Sequence, residues 1–359
     1  MRFLLLFFYL LLVSTFSFSQ KQIALTFDDL PMALPRISLQ HTIDINQKLL
    51  SELKKQNVPA TGFVNESMIN VENEAEERLA ILKQWAAQGF ELGNHTYHHV
   101  SYNAVPLNSF VTEVKKGELY TNQILKEQGK KIKYFRPPFL STGTTADKKE
   151  KLEKFLHDNG YTLALSTIEA SDFTFNLIYL KAKFQQDSTE MKRVVKDYLD
   201  FTEKRLVYYE MVSDKVVGRA IPQILLVHVN DINADNLDKL LLLLKAHHYE
   251  FISLEQALQD SVFNQKDAYV GKRGISWLHR WNETDRMELM KQEPKLPVSI
   301  KKQNSEAKQD QFYFLLKSRI IGYHYTAFHI GMFLLVVVLI TVVLYILIFK
   351  RKRNNYLLK

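Results

Sequence analysis

The sequence predicts an α/β protein whose parallel strands form a barrel, followed by one helix that crosses a membrane near the C-terminus. Strand-like and helix-like segments alternate over about 250 residues, which is typical of βα units with parallel strands. About seven such units favour a barrel over an open sheet. Polar clusters stand where several strands end, and residues 327–349 form one long apolar run.

The strands are predicted from short apolar runs bounded by turn residues, and the helices from apolar positions at helical spacing. Seven strands are expected, in 23–27, 59–64, 90–94, 132–135, 161–166, 224–229 and 249–253. Six helices are expected between them, in 42–56, 74–88, 108–128, 147–158, 188–213 and 235–247. Gly89 and Gly160 follow two of these helices, where glycine commonly ends a helix.

Composition narrows the chemistry that the protein can use. The 359 residues include no cysteine, which excludes disulfides, thiolate ligands and thiolate nucleophiles. Any bound metal must therefore be held by His, Asp or Glu. Residues 301–359 contain ten Lys or Arg and two acids, so this tail accounts for the whole net charge of +8. The rest of the chain is neutral overall and gives no reason to expect nucleic-acid binding.

The two ends of the chain indicate how the protein is placed in the cell. Residues 1–19 have the pattern of a signal peptide that is cleaved near Gln20. The alternative is an N-terminal membrane anchor that is not cleaved. Residues 20–285 would be the catalytic domain, and residues 286–326 a polar linker or stalk. Residues 327–349 are long enough to span a bilayer as a helix. The basic tail 350–359 then places the C-terminus in the cytoplasm and the domain outside it, in the periplasm or at the cell surface.

Two adjacent carboxylates, Asp28 and Asp29, end the first predicted strand. In α/β folds the C-terminal ends of parallel strands carry the chemistry. Neighbouring side chains on a strand point to opposite sides, so the two acids are expected to differ in role. One could bind a metal while the other acts as a base. An acidic turn after a buried strand is the ordinary structural alternative.

A histidine cluster follows the strand at 90–94. His95 and His99 are four residues apart, so on a helical turn they would share a face and could bind one metal. His98 should point away and have a structural role. Together with Asp29, the pair would form a site of two His and one carboxylate with open positions, suited to Zn²⁺ or another divalent ion.

Three further strand ends carry polar residues that chemistry could use. Arg136 begins an Arg-Pro-Pro sequence after the strand at 132–135, Asp172 follows the strand at 161–166, and His228 lies near the end of the strand at 224–229. Each alone has a structural explanation, as a loop arginine paired with an acid, a turn aspartate or a buried histidine. Their shared position after strands favours a common site instead.

The five motifs, in this order over residues 22–258, resemble those of the polysaccharide deacetylases, the NodB-homology group or carbohydrate esterase family 4. The resemblance implies a distorted (β/α) barrel and metal-dependent removal of acetyl groups from N-acetylated sugars, or from acetylated xylan in some members. It also implies one divalent metal, with Zn²⁺ favoured over Co²⁺, Ni²⁺ or Mn²⁺, and a polysaccharide or oligosaccharide substrate. The lipid bilayer is the other expected partner, and the oligomeric state is left open.

The resemblance also assigns roles to the residues that match each motif. Asp28 resembles the catalytic base, and Asp29, His95 and His99 the metal ligands. His228 resembles the general acid. As water attacks the acetyl carbonyl, the base would take its proton and the acid would protonate the departing amine, which leaves poorly without a proton.

The remaining assignments concern residues that support or line the site. Arg136 resembles the residue that orients the base, and Asp172 the residue that holds this arginine. The backbone N–H of Phe139 would stabilise the oxyanion with the metal, and Leu226 would line the pocket for the acetyl methyl group. The sequence does not show which residue would pair with the general acid His228, and Asp147 is only a guess.

The chain departs from the family pattern at three positions. Leu30 replaces the usual Gly after the two acids, Phe139 replaces an aromatic residue with a hydroxyl, and Phe173 replaces a Trp. These changes affect the expected substrate more than the expected chemistry. Trp277 and Trp281 lie beyond the range that matches the family motifs. These two tryptophans are expected to cap the barrel rather than to stack on sugars.

Three other functions remain as alternatives to polysaccharide deacetylation. One is a membrane-tethered glycan-binding protein without activity, disfavoured because every catalytic position is filled. A second is a deacetylase or deformylase of a small or lipid-linked amino sugar. The third, a non-haem iron oxygenase, also uses two His and a carboxylate but has no need for Asp28 or His228.

Overall fold

The protein was analysed as a computed structural model, which describes residues 20–34 and 37–308. Of the described residues, those up to Lys301 belong to one compact unit and those from Lys302 to a second. Of the second unit, residues 302–308 are described, and they are helical.

Eight strands form one sheet in which every pair is parallel. They are β1 (Lys21–Leu30), β2 (Ala60–Val64), β3 (Glu91–Asn94), β4 (Tyr134–Phe135), β5 (Thr162–Leu163), β6 (Ile168–Glu169), β7 (Gln223–His228) and β8 (Tyr249–Ile252). The order across the sheet is β5-β4-β3-β2-β1-β7-β6, and β8 pairs with the first residues of β1. The predicted parallel α/β architecture is therefore confirmed.

Eleven α-helices have their bounds within the described residues. They are α1 (Leu39–Gln56), α2 (Ala75–Ala87), α3 (Leu107–Lys116), α4 (Leu119–Lys126), α5 (Ala146–Asp158), α6 (Asp172–Phe184), α7 (Ser188–Val217), α8 (Asp231–Ala246), α9 (Leu254–Ala257), α10 (Trp277–Trp281) and α11 (Arg286–Gln292). Helix α6 was not expected from the sequence.

The predicted helix over 108–128 is wrong in one respect, because the structure has two helices there, α3 and α4. They are separated at Gly117, whose Cα lies close to the backbone of the histidine loop. A Cβ at this position would lie 2.6 Å from the carbonyl carbon of Thr96. Only a glycine allows this approach, so the break in the helix makes room for the loop that carries the histidines.

The distorted barrel of about seven strands that the sequence predicts is, over the described residues, a curled sheet of eight strands that does not close. The strand expected at 161–166 is only the short strand β5 in the structure, and residues 164–167, which we call the seam, join β5 to a further short strand, β6. Among the described residues no ladder pairs β5 with β6. The seam instead bonds to the strands on both sides, through Ala164 N–H to Phe135 and Thr167 N–H to Ile224.

Side chains along β1 point alternately to the two faces of the sheet, toward the helices or toward the interior of the curled sheet. Ile23, Leu25 and Phe27 lie in the large core between the sheet and the helices. Ala24 lies in a small interior cluster with residues of β2, β4, β7 and β8. Thr26 and Asp28 have the same parity as Ala24, so they continue the interior face toward the C-terminal ends of the strands.

Helices α1 and α2 fix the turn that follows β1. Phe27 packs edge-on against Trp85 with ring centroids 5.8 Å apart. The Trp85 indole N–H donates to the Asn46 amide oxygen at 2.9 Å, and the Asn46 amide donates to the Pro31 carbonyl at 2.7 Å. All three groups are buried, and a buried polar group is costly unless it is paired. The turn after the two acids is therefore held from the helical layer.

The predicted linker was placed from residue 286 onward, but residues 286–301 lie in the same compact unit as the sheet. Helix α11 buries Leu289 completely, and Ile300 is also buried. Glu293 accepts hydrogen bonds from Arg205 and Tyr209 of α7. Residues 286–301 are therefore packed structure, which sequence polarity did not reveal.

Among residues 20–34 and 37–308, no helix has both the length and the apolar character needed to cross a membrane. The predicted signal peptide over residues 1–19 and the predicted membrane helix over 327–349 lie outside these ranges.

Candidate active site

The two acids at the end of β1 approach the same point, contrary to the expectation that they face opposite sides. Asp29 adopts a left-handed conformation with φ of 65°, and the register with β2 shifts between Phe27 and Leu30. This bulge interrupts the alternation of the strand. Asp28 Oδ2 lies 3.7 Å and Asp29 Oδ1 3.6 Å from His95 Nε2. Both carboxylates therefore belong to one site.

The histidine loop follows β3 and is not the helical turn that was expected. Thr96 and His99 have positive φ values of 66° and 56°, and these two turns bring the rings of His95 and His99 within 5.0 Å. The buried Asn65 amide donates to the His95 carbonyl at 2.6 Å and holds the start of the loop. His98 points outward, and its Nδ1 lies 3.0 Å from Glu113, in agreement with a structural role.

Asp29, His95 and His99 form the one group found among the described residues that could hold a metal ion. Asp29 Oδ1 lies 3.6 Å from His95 Nε2 and 3.4 Å from His99 Nε2. The Nδ1 of His95 is 2.7 Å from the Arg136 carbonyl, which can only accept, so this nitrogen carries the proton. The lone pair on Nε2 then faces Asp29, as metal ligation requires.

Two properties of the three side chains fit a divalent cation. Burial lowers the pKa of both His95 and His99 to about 4, so both imidazoles are neutral near pH 7. The buried Oδ1 of Asp29 has no hydrogen-bond partner among the described residues. A buried carboxylate oxygen without a partner is costly. A cation between the neutral imidazoles and this oxygen would satisfy it.

Arg136 is fully buried and joins the first acid to the seam. Its Nη1 donates to Asp28 Oδ1 and to Thr26 Oγ1, both at 2.7 Å. Its Nε and Nη2 donate to the carbonyls of Ala164 and Leu165 at 3.2 and 3.1 Å. Burial would raise the pKa of Asp28, but the guanidinium outweighs burial and holds the pKa below its usual value. Asp28 is therefore ionised at neutral pH.

Asp172 contacts His228 rather than Arg136, which corrects the role expected for it. Its Oδ1 lies 2.8 Å from His228 Nδ1, and its Oδ2 accepts from the His228 backbone N–H at 2.8 Å. The side-chain amides of Asn230 and Asn233 also donate to Oδ2, at 2.8 and 2.6 Å. Asp147, the residue guessed as the partner of His228, is exposed and pairs with Lys151.

The Asp172 carboxylate controls the charge of His228. Burial would lower the pKa of this imidazole, but the charge and hydrogen bond of Asp172 raise it to about 10. His228 is therefore protonated at neutral pH. With Nδ1 engaged by Asp172, Nε2–H is the proton that the ring can donate.

Two aromatic side chains lie exposed at the rim of the site. Phe139 is 60% exposed, and its ring centroid lies 4.5 Å from that of His99. Phe173 is 48% exposed, and its centroid lies 5.7 Å from that of His228. Exposed apolar rings next to buried charges are suited to stacking on a ligand with an apolar face.

Leu226 lies below the charged residues in a buried cluster with Leu140, Leu165 and Trp277. Trp277 is almost completely buried, so it packs against the sheet and cannot stack on a ligand. Trp281 packs against Phe263 with ring centroids 5.8 Å apart. Both tryptophans therefore belong to the packing of this end of the sheet, as the capping interpretation expected.

Three polar residues of the site were missed by the sequence reasoning, namely Thr26, Asn230 and Asn233. Thr26 is a polar residue in an apolar strand two positions before Asp28, and this spacing puts both on one face. The two asparagines begin α8, where Asn230 caps the helix and accepts from the Asn233 N–H at 3.1 Å. Asparagine is a common capping residue at the start of a helix, so the sequence gives no sign that these two side chains contact Asp172.

Comparison with known proteins adds an independent result. Residues 17–163 match the family model of the polysaccharide deacetylases. The matched range contains the first three motifs, with Asp28, Asp29 and the histidine loop among them. Asp172 and His228 lie beyond it.

Two curated relatives share part of the chain. A peptidoglycan-N-acetylglucosamine deacetylase of Bacillus cereus is 30% identical over 122 residues, which cover 34% of this chain and 38% of the relative. A chitin deacetylase of Colletotrichum lindemuthianum is 31% identical over 120 residues, covering 33% of this chain and 42% of the relative. The matches thus span about two fifths of each relative.

A solved structure of a chitin deacetylase from Colletotrichum lindemuthianum is 23% identical, with a TM-score of 0.48, and the match covers 70% of this chain and 93% of that one. The family resemblance inferred from the motifs is confirmed by the family model over the part of the chain that carries three of them. Residues 17–163, less than half of the chain, are thus similar to the polysaccharide deacetylase family.

Proposed function

We propose that the protein is a metal-dependent hydrolase that removes acetyl groups from an N-acetylated or O-acetylated polysaccharide. One observation carries the proposal: an ionised carboxylate and a protonated imidazole, Asp28 and His228, flank a site able to hold a metal. These two residues pair across adjacent strands, with Asp28 opposite His228 in the register of β1 and β7. The names of the curated relatives support an N-acetylated glycan as substrate.

In this proposal Asp29, His95 and His99 hold one divalent ion, with Zn²⁺ favoured and Co²⁺, Ni²⁺ or Mn²⁺ as alternatives. Such an ion supplies Lewis acidity to a water and to an amide carbonyl. Neutral imidazoles and a carboxylate without competing hydrogen bonds are the donor set that Zn²⁺ accepts in catalytic sites.

The residues of the chain supply the proton transfers. Asp28, kept ionised and oriented by Arg136, accepts a proton from the attacking water. His228, kept protonated by Asp172, donates a proton from Nε2 to the leaving nitrogen or oxygen. The backbone N–H of Phe139 is the proposed donor to the oxyanion, and Leu226 borders the space for the acetyl methyl group.

The proposed function is tested by measuring acetate release from chitooligosaccharides, peptidoglycan and acetylxylan, after chelation and after metal is added back. Asp28→Asn and His228→Ala should retain the metal, while acetate release falls by about 10²-fold or more, because a general base or acid usually contributes that much. His228→Ala should affect an acetate ester less than an amide, since an alkoxide leaves more easily than an amine anion.

The neighbouring histidines provide a matched control for the metal site. His99→Ala should lose bound metal, whereas His98→Ala should keep both metal and activity because His98 contacts Glu113 at the surface. If metal-loaded wild-type protein binds glycans but releases no acetate from any of them, the protein is a glycan-binding protein instead. Release of acetate or formate only from small or lipid-linked amino sugars would favour the other alternative.

We further propose that the domain lies outside the cytoplasm and is tethered by residues 327–349, with residues 350–359 in the cytoplasm. The apolar run and the basic residues after it support this arrangement. Strand β1 begins at Lys21, directly after the proposed cleavage near Gln20. Protease added to cells with a permeabilised outer membrane should remove the domain. A protected domain together with an accessible C-terminus would reverse the proposed topology.

A further inference from the structure

The loop that carries the proposed oxyanion donor has an unusual backbone. Phe139 and Leu140 are consecutive residues with positive φ, 57° and 51°. Residues with a Cβ adopt this region at a cost in free energy, and persist there when the surrounding structure holds them. The conformation matters for function because it sets the direction of the Phe139 N–H.

Gly274 lies directly against this loop. A Cβ at position 274 would stand 1.9 Å from the Phe139 carbonyl oxygen and 3.0 Å from the Leu140 Cβ. The Phe139 carbonyl is a backbone group, so turning a side chain could not relieve this contact. Gly274 is therefore a residue whose lack of a side chain permits the observed position of the Phe139 carbonyl.

Arg280 also binds the loop that contains Phe139 and Leu140. Its Nη2 donates to the Leu140 carbonyl, and its Nη1 donates to Thr142 Oγ1 at 2.8 Å. The guanidinium is buried and stacks 3.9 Å from the Trp277 ring. Nη1 also donates to Asp267 at 3.1 Å, which compensates the buried charge. A planar guanidinium is suited to joining several acceptors in fixed directions.

The stretch that contains Gly274 and Arg280 is itself attached to the seam. Ser276 Oγ donates to the Thr167 carbonyl at 2.6 Å, and the Trp277 N–H donates to the Ser166 carbonyl at 3.0 Å. The stretch thus extends from the seam, where Arg136 is bound, to the loop of Phe139. It lies outside the range that matches the family model.

We propose that residues 267–281, through Gly274 and Arg280, hold the backbone of Phe139 and Leu140 so that the Phe139 N–H points at the oxyanion formed during hydrolysis. Gly274 and Arg280 are positioning residues and do not touch the substrate. The inference rests on the proposed deacetylase function, and its test separates the two.

The test uses Gly274→Ala and Arg280→Lys in the full-length, metal-loaded protein. Gly274→Ala should lower kcat for acetate release by about 10²-fold with little change in KM, because one misplaced oxyanion donor can cost that much. Arg280→Lys keeps the charge beside Asp267 but loses the fork to Leu140 and Thr142, and should cost about tenfold. Metal content and the unfolding midpoint are measured for each.

Two further measurements distinguish positioning from a general loss of structure. The loss should be equal for amide and ester substrates, because an oxyanion forms with both. A methylphosphonamidate analogue of an N-acetylated oligosaccharide, which resembles the tetrahedral transition state, should bind more weakly in proportion to the loss in kcat/KM. Binding of the deacetylated oligosaccharide should stay unchanged.

Arg286→Lys is the matched control. Arg286 also binds carbonyls of the same stretch, at His279 and Arg280, and stacks on Tyr269, but no contact of it reaches the Phe139 loop. It should keep wild-type kcat. Active wild type with unchanged kcat in Gly274→Ala or Arg280→Lys would overturn the inference, and inactive wild type would overturn the proposed function instead. If Gly274→Ala does not fold, Arg280→Lys decides.

Discussion

Replacing Asp172 with Asn should remove the charge that keeps His228 protonated. In the structure this carboxylate, with smaller contributions from Asp29 and Asp28, raises the pKa of the imidazole from 6.5 to about 10 against the effect of burial. At pH 7.5 a group with a pKa near 10 is almost fully protonated, whereas one at 6.5 is only about one-tenth protonated. Without the Asp172 carboxylate, burial is the largest remaining effect on the pKa of His228, and it lowers that pKa. Asp172→Asn should therefore lose at least about tenfold in rate at pH 7.5.

The assay is the pH dependence of kcat/KM for acetate release between pH 5 and 10. A general acid must be protonated, so activity falls as the pH rises through its pKa. The alkaline limb of Asp172→Asn should move to lower pH than that of wild type, and part of the activity should return near pH 5.5. A bound cation lowers the pH of the alkaline limb in both wild type and Asp172→Asn. The measurement that matters is therefore the difference in pH between the two alkaline limbs.

Asp147→Asn is the matched control, because it makes the same chemical change at an exposed carboxylate paired with Lys151. Its alkaline limb should coincide with that of wild type. An alkaline limb that stays in place in Asp172→Asn would refute the link between Asp172 and His228. A limb that moves in Asp147→Asn would mean that general electrostatics, and not this contact, sets the pKa.

Three further outcomes are expected. Arg136→Lys should move the acidic limb to higher pH, because the pKa of Asp28 rises when the hydrogen bond from the guanidinium is lost; an unmoved limb would contradict the role of the arginine. Asp29→Asn should lose metal measured by elemental analysis while the circular dichroism stays unchanged; retained metal would exclude Asp29 as a ligand. Gly117→Ala should weaken metal binding, since its Cβ would displace the backbone at Thr96; unchanged affinity would show that the histidine loop tolerates the shift.

The sequence was sufficient to predict that the polar clusters lie close together, because this depends only on a general property of parallel sheets. Parallel strands end at the same edge of a sheet, so residues that follow β1, β3 and β7 come together whatever their separation along the chain. Asp29, His95 and His99 were grouped in this way. The grouping needed strand periodicity and spacing only.

The contacts inside the cluster could not be predicted in the same way. The strand rule separates Asp28 from Asp29, but the positive φ of Asp29 turns both toward one point. The family resemblance assigns Asp172 to the arginine, and the sequence does not give the order of strands that would correct this assignment. In the sheet β6 lies beside β7, which brings the residues after β6 next to His228.

The hydrophobic pattern of the sequence also failed to predict some short elements and the C-terminal limit of the packed domain. Two-residue strands such as β5 and β6 are too short to leave a periodic signal, so the sequence predicts one strand over 161–166 and does not predict β6. Residues 286–301 are polar in sequence yet packed, because few buried residues such as Leu289 suffice to dock a short helix.

The seam also determines how the protein should respond to heat. Neighbouring strands elsewhere share ladders of hydrogen bonds, whereas residues 164–167 bridge β5 and β6 with a few individual bonds, so this region can open locally before the whole domain unfolds. Such an opening withdraws the carbonyls of Ala164 and Leu165 from Arg136 and releases the guanidinium that orients Asp28. Thermal inactivation should therefore precede the loss of helical structure.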